Sequence, residues 1–257
     1  MNSPTPPSAT ATASASAPIL THTPTPTSTA LLVPWDPESP AHIYRMYEQR
    51  VACGWKEDHV ERWRALQRSG MNNLFWVVLD PSDPSTPSKI SQHTTAYPKQ
   101  STLLQDTAIS LGGKERSPAS SSAIPFVPVG HISLNREYEE EGYVDVEEGL
   151  LFIATFWISP PLQGTGLGRS AMSSIENLAS QPPLNAHTLA LSTVANEYEG
   201  KKERWAALKR APPAISNQDW YARRGYSVFK EVEEMWSELD EKGKRWWFKA
   251  VFMRRSV

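Results

Sequence analysis

A chain of 257 residues with a formal net charge of -2 and a single cysteine already excludes several classes. It has no overall positive field to draw nucleic acid or an anionic membrane, cannot close an internal disulfide, and contains no run of eighteen apolar residues that reads as a membrane span. In chain order, residues 1–29 are almost only Ser, Thr, Pro and Ala, without Lys or Arg. They read as a solvated tail rather than a transit or secretory leader. Ala30 to Pro34 reads as a strand, Pro40 to Ala52 as a helix with Ile43, Tyr47 and Val51 on one face, and Lys56 to Arg68 as a second helix with Val60, Trp63 and Leu66 or Gln67 aligned. Leu74 to Leu79 is an apolar strand stopped by Asp80-Pro81. From about residue 81 to 125 the composition turns to Ser, Thr, Pro, Gln and Gly. This reads as a low-complexity insertion between two strands, with at most a helical turn over Thr102 to Leu111.

The second half is more regular. Phe126 to Leu134 is a strand whose prolines place its proper start near Val129. Gly149 to Ile158 is the next strand, followed by a glycine-rich loop and a helix running to Ala179. Thr188 to Val194 is a strand, Tyr198 to Pro213 a charged and partly helical insertion, and Gln218 to Arg224 a helix. Tyr226 to Trp236 and Arg245 to Met253 form a closing hairpin. The order βααβ, ββαβ, αββ is an α+β plan with a mixed sheet. Residues 30–257 form one domain, with roughly 185 residues outside the insertion, which is ample for a core.

The loop carries the chemistry. It runs Ile158-Ser159-Pro160-Pro161-Leu162-Gln163-Gly164-Thr165-Gly166-Leu167-Gly168-Arg169-Ser170. The order strand, glycine loop, helix places unpartnered backbone N–H groups and the positive end of a helix dipole at one point, which suits a phosphate. No lysine stands where a Walker loop needs it, and glycines at 164, 166 and 168 do not fit the dinucleotide fingerprint. The glycines could also serve only a tight turn, but three in five residues with these flanks favour a ligand.

What remains, Gln163-x-x-Gly166-x-Gly168 after Pro160, resembles the pyrophosphate-binding signature of the GNAT superfamily of acetyl-CoA-dependent N-acyltransferases. Asp219-Trp220-Tyr221-Ala222-Arg223-Arg224-Gly225-Tyr226 is similar to the later helix of that family, and the two motifs stand in the family's order. The resemblance covers about residues 30 to 257 less the insertion and is strongest from 149 to 232. It implies a mostly antiparallel sheet of about six to seven strands flanked by helices and splayed between the fourth and fifth strands. It implies acetyl-CoA as co-substrate and no metal. The cofactor would pair with the backbone of Trp157, Ile158 and Ser159. It would rest its pyrophosphate on Gln163, Gly164, Thr165, Gly166, Leu167, Gly168 and Arg169, with Asn217 as a further contact or a helix cap.

Tyr221 matches the family's acid for the departing thiolate. For the base, Glu148 at the start of the fourth strand ranks ahead of Glu197 and His131, and a chain of water is a further option. Family members often carry an Asn seven residues before the tyrosine, where this chain has Ala214; Asn217 or Asn196 stands in its place. The acceptor is expected to be a primary amine on a small molecule or peptide. An acidic run, Glu137, Glu139, Glu140, Glu141, Asp145, Glu147 and Glu148, would draw a cation or simply be solvated. No nucleic-acid or membrane partner is expected, the chain is expected to be a monomer or homodimer, and the setting cytoplasmic with the nucleus left open. The competing class is an acyl-CoA-binding regulatory module without catalysis, against which Gly166, Gly168 and Tyr221 argue.

Overall fold

The computed structural model describes residues 30–118, 124–138, 147–199 and 202–257. The expected tail and most of the acidic run lie outside these residues. Seven strands form one mixed sheet: β1 (Ala30–Pro34), β2 (Asn72–Leu79), β5 (Pro128–Asn135), β6 (Leu150–Ile158), β7 (Thr188–Val194), β9 (Arg245–Ser256) and β8 (Ser227–Leu239), in that spatial order. Every neighbouring pair is antiparallel except β6 with β7. A small separate hairpin joins β3 (Ser110–Leu111) to β4 (Lys114–Glu115). The helices are α1 (Pro40–Cys53), α2 (Val60–Ser69), α3 (Thr86–Ala96), α4 (Leu167–Ala179), α5 (Asn196–Glu199), α6 (Lys202–Ala207) and α7 (Asn217–Ala222). The α+β class and the expected sheet agree with this architecture.

The sheet is covered on both faces, which explains why β2 and β5 are buried along their whole length. Alternation sorts β2 between two cores. Phe75, Val77 and Leu79 join Ile132, Leu134, Leu151 and the α4 stripe Leu167, Ala171, Met172, Ile175 and Ala179. Leu74, Trp76 and Val78 join Trp35, Met46, Val60 and Trp63 under α1 and α2.

Two expectations are corrected. α1 does not bury the face of Ile43, Tyr47 and Val51. Tyr47 and Val51 are exposed, and the helix buries His42, Arg45, Met46, Gln49 and Arg50. These side chains bond to backbone carbonyls: Arg45 to that of Thr102 at 2.6 Å, Gln49 to that of Pro128 at the start of β5 at 2.9 Å, and His42 to that of Gln105 at 2.9 Å. A polar helix face is stable here because each of these residues finds a partner, although Arg45 Nη1 is buried without one among the described residues. The segment 81–125 is also not a featureless loop. It folds as α3, a 3-10 turn over Pro98–Gln100 and the β3–β4 hairpin, while Thr102 to Leu111 is irregular until β3.

Burial has a consequence for acid stability. His42, His93 and His131 are all buried, and desolvation holds each imidazole below its ordinary value, His93 at about 4. In the unfolded chain they titrate near the usual value of about 6.5. Below that pH the unfolded chain takes up protons that the folded chain refuses. Stability is therefore full above about pH 6.5 and is lost as pH falls, by about 1.4 kcal/mol per pH unit for each histidine until its folded value is reached. The urea midpoint is expected to drop between pH 7.5 and pH 5.5; equal midpoints at the two values would contradict this.

Candidate active site

β6 and β7 pair in parallel only through Leu150–Thr188, Leu151–Leu189 and Phe152–Ala190. Beyond Phe152 and Ala190 the ladder ends, and the two strands diverge around a cavity of about 370 Å³. Ile153 to Phe156 line one side and Leu191 to Val194 the other. The cause of the divergence sits in β6. Its register with β5 shifts between His131 and Ser133, so one extra residue is accommodated, and Thr155 takes φ +47°. A β-branched residue at positive φ is strained, and strained bulges concentrate at functional sites. The Thr155 hydroxyl donates to Ser133 Oγ at 2.8 Å and holds the bulge. The β7-facing backbone of β6 past Phe152 is thereby left without a strand partner, directed at the cavity.

The glycine loop follows. Pro160–Leu162 makes a 3-10 turn, and Gly166 caps α4 at φ +88°, a left-handed angle that favours glycine. Gln163 Nε2 donates to the Ile158 carbonyl at 3.0 Å and Thr165 Oγ1 to that of Leu162 at 2.7 Å. These two side chains close the loop on itself; only their backbone faces a ligand. Among the described residues, no backbone N–H from Gly164 to Arg169 has a partner in the protein. Six open donors at a helix start form an anion cradle. A Cβ built on Gly168 would meet nothing closer than Phe156 Cζ at 3.8 Å, so the protein itself does not require glycine there. Leu167 is wholly buried and contributes its N–H alone, whereas Arg169 is exposed. Trp157 and Ile158 are buried, the former stacked on His131 at 5.7 Å.

α7 brings Tyr221 and Asn217 to the cavity. The helix is pinned at both ends. Ser216 is its cap, accepting from the Asp219 N–H at 3.0 Å. Asn196, which opens α5 just after β7, accepts from the Ser216 hydroxyl and donates to Asp219 Oδ1 at 2.7 Å, so both its amide atoms serve α7. At the other end Arg224 does not merely face the dipole. It binds Glu176 of α4 at 2.7 and 3.2 Å, and Glu176 also accepts from Tyr226 at 3.1 Å. The buried Glu176 thus ties the cradle helix to the helix that carries Tyr221. Burial pushes the Tyr221 hydroxyl up to about 12, eased by Arg224 and reinforced by Glu176. It is a proton donor at any working pH.

The rest of the cavity is built from segments far apart in sequence: Arg50 and Cys53 in the last turn of α1 with Trp55 and Lys56 after it, Glu137 and Tyr138 after β5, Arg204 on α6, and Trp236, Glu238 and Phe248 on the last hairpin. Trp55 meets Trp236 edge-on at 6.4 Å, and Arg204 stacks 3.9 Å over Phe248. Arg50 fixes Trp55 through its carbonyl with two donors and reaches His131 Nε2 at 3.1 Å. Burial pushes the Cys53 thiol up, so it is no activated nucleophile.

None of the three residues considered as bases reaches this cavity. Glu148 is exposed and lies before β6, at the end where β6 and β7 are still paired, opposite the splay. Glu197 is ion-paired with Lys249 at 2.9 Å. His131 is wholly buried, accepts from Arg50 and bonds Gln49 at 2.7 Å. The carboxylates on the cavity wall are Glu137 and Glu238, and Glu238 is held by Arg210 at 3.1 and 3.2 Å. Glu137 also lines a second cavity of about 40 Å³ with the buried Asn72 and Asn135. Both Asn72 amide atoms and Asn135 Oδ1 lack a hydrogen-bond partner among the described residues. Polar walls of this kind and a space of this size suit ordered water.

Residues 112–200, which hold β5, the bulged β6, the glycine loop, α4 and β7, match the family model described as Acetyltransferase (GNAT) family. Over these residues the chain is similar to the GNAT acetyltransferase family. The matched segment contains the cradle and the splay and ends before α7 and Tyr221. No curated protein matches the sequence significantly. Among solved structures, NAA60 of Arabidopsis thaliana in complex with acetyl-CoA is similar at 10% identity and a TM-score of 0.47, covering 89% of this chain and 99% of that one. A putative acetyltransferase of Acinetobacter baylyi ADP1 is similar at 10% identity and 0.48, covering 90% and 94%. A spermidine N-acetyltransferase chimera from Vibrio cholerae and hSSAT gives 10% and 0.48, covering 89% and 96%. Identities and scores this low bear on neither activity nor substrate. Among the described residues, no group of three or more His, Cys, Asp or Glu could hold a metal and no helix is long and apolar enough to cross a membrane.

Proposed function

We propose that the domain transfers an acetyl group from acetyl-CoA to a primary amine held in the cavity between β6 and β7. The observation that carries this reading is the cradle of six open N–H groups on the loop that follows β6, whose splayed stretch lines the cavity that also receives Tyr221. The cradle fits a pyrophosphate by chemistry: open donors, a helix start, an exposed Arg169 and no acidic side chain in the loop. In this reading the backbone of Trp157 to Ser159 orients the donor, and the unpaired β6 backbone near Thr155 supplies a donor to the carbonyl oxygen as it gains charge. The neutral amine nitrogen forms the C–N bond as the C–S bond breaks, the departing sulfur takes its proton from Tyr221, and the proton that the nitrogen then sheds returns through solvent to the Tyr221 oxygen.

Before attack, the ammonium proton must leave. We assign that proton to Glu137, directly or through water in the small cavity shared with Asn72 and Asn135. Glu137→Gln is expected to lower kcat/KM at pH 7 by about tenfold to a hundredfold. Activity is expected to recover toward the wild-type value near pH 9.5, where more of the amine is already neutral. A pH profile parallel to that of the wild type would remove Glu137 from this role.

The reading as a whole is tested by CoA release across polyamines, aminoglycosides, amino acids and basic peptides. Turnover on one class establishes the activity. Tight acetyl-CoA binding with no turnover on any class favours a regulatory acyl-CoA-binding module instead.

A further inference from the structure

The segment between β2 and β5 has no part in the reading above, yet it ends against the donor side of the site. α3 packs on the Pro160–Leu162 turn that opens the glycine loop. His93, wholly buried on α3, shares a hydrogen bond through Nδ1 with Ser159 Oγ at 2.8 Å. Ser159 is equally buried, and its N–H donates to the Val129 carbonyl of β5 at 2.9 Å. Residue 159 is therefore held by its backbone from the sheet and by its side chain from α3. Tyr97 completes the contact, tilted against His93 at 5.7 Å and edge-on to Trp157 at 6.0 Å.

The other end of this strut is fixed. Arg45 and His42 of α1 bond the Thr102 and Gln105 carbonyls, and Gln100 Nε2 donates to that of Glu48. Ser159 is the joint between the two halves of the donor site, the β6 end at Trp157 to Ser159 and the cradle at Gly164 to Arg169. If the joint loosens, the two halves lose their mutual register, and binding must restore it at the expense of affinity.

We propose that His93 is a positioning residue for acetyl-CoA, acting through Ser159, and that the segment carrying α3 is a buttress of the donor site. The proposal rests on the reading that acetyl-CoA occupies the cradle. Its signature is a donor effect without a chemical effect. His93→Ala is expected to raise the acetyl-CoA Kd by calorimetry, and the KM for acetyl-CoA, by about tenfold, with kcat within about twofold of wild type. His93→Asn, which keeps a polar atom near the Nδ1 position, is expected to restore most of the loss. Ser159→Ala is expected to match His93→Ala, and the double variant to be no worse than either, because both remove one interaction. An unchanged Kd in folded His93→Ala, or additive losses in the double variant, overturns the proposal. Should His93→Ala fail to fold, Ser159→Ala and His93→Asn carry the same comparison. Wild-type protein that does not bind acetyl-CoA overturns this inference and the functional reading together; wild-type binding with all variants equal to it overturns this inference alone.

Discussion

Tyr221→Phe is expected to lower kcat by about a hundredfold to ten-thousandfold, the range for removing a placed acid, while acetyl-CoA binding stays within about twofold. Only an oxygen is removed. The ring contacts with Trp220 at 5.0 Å and Tyr226 at 5.9 Å do not involve it. α7 is held by Ser216 and Asn196 at one end and by Arg224 on Glu176 at the other, so its placement does not depend on the hydroxyl either. Because burial pushes this phenol up to about 12, it acts as an acid and not as a base, and its ionisation sets no limit on the rate in the neutral range. The loss is therefore expected at every pH from 6 to 9, unlike the loss in Glu137→Gln. Stopped-flow turnover on an established amine gives the answer, and an unchanged kcat would remove Tyr221 from the reaction.

The difference between these two residues shows what the sequence could and could not reveal. Tyr221 and the glycine loop are local signals. Gly166 to Arg169 make a cradle because of what precedes and follows them, and Gly225, at φ +89°, closes the turn that follows α7, three residues beyond Ala222. Nothing distant is needed to read them. The base is a question of assembly. Glu148 adjoins the right strand, but β6 runs away from it toward the splay, and parallel strands open their sites at the carboxyl end. Glu137 reaches the cavity because β5 runs antiparallel to β6 and ends elsewhere on its rim, a matter of pairing that spacing does not encode.

α3 escaped notice for another reason. Its sequence, Thr86-Pro87-Ser88-Lys89-Ile90-Ser91-Gln92-His93-Thr94-Thr95-Ala96, buries only Thr86 and His93 fully, so no apolar period marks it. In α1 the same effect hides the buried face and not the helix: the row of His42, Arg45, Gln49 and Arg50 looks like a solvated face until the carbonyls it serves are in place. Helices that meet their neighbours through hydrogen bonds lack the stripe by which helices are recognised.

Gly168→Glu is expected to abolish measurable acetyl-CoA binding, by more than about a hundredfold, while leaving the fold as stable as before. Gly166 is the less informative target, since its φ of +88° makes any side chain there a strain on the backbone. Gly168 carries no such constraint. It lies in the first turn of α4, and a Cβ on it meets Phe156 at ordinary contact distance. A glutamate near a helix start is favourable to the helix by a few tenths of a kcal/mol to about 1 kcal/mol, and replacing a helical glycine removes a further cost of up to about 1 kcal/mol. In the cradle the same carboxylate takes the place and the charge of the phosphate. Each charge-assisted bond it displaces is worth about 1.5–3 kcal/mol, and two such losses amount to a hundredfold or more in affinity. The measurement pairs a thermal melt with calorimetric titration of CoA. A raised or unchanged Tm with no heat of binding is the expected pair. Retained CoA affinity in a folded Gly168→Glu protein would mean that the glycine loop holds no phosphate and that the six open N–H groups serve something else.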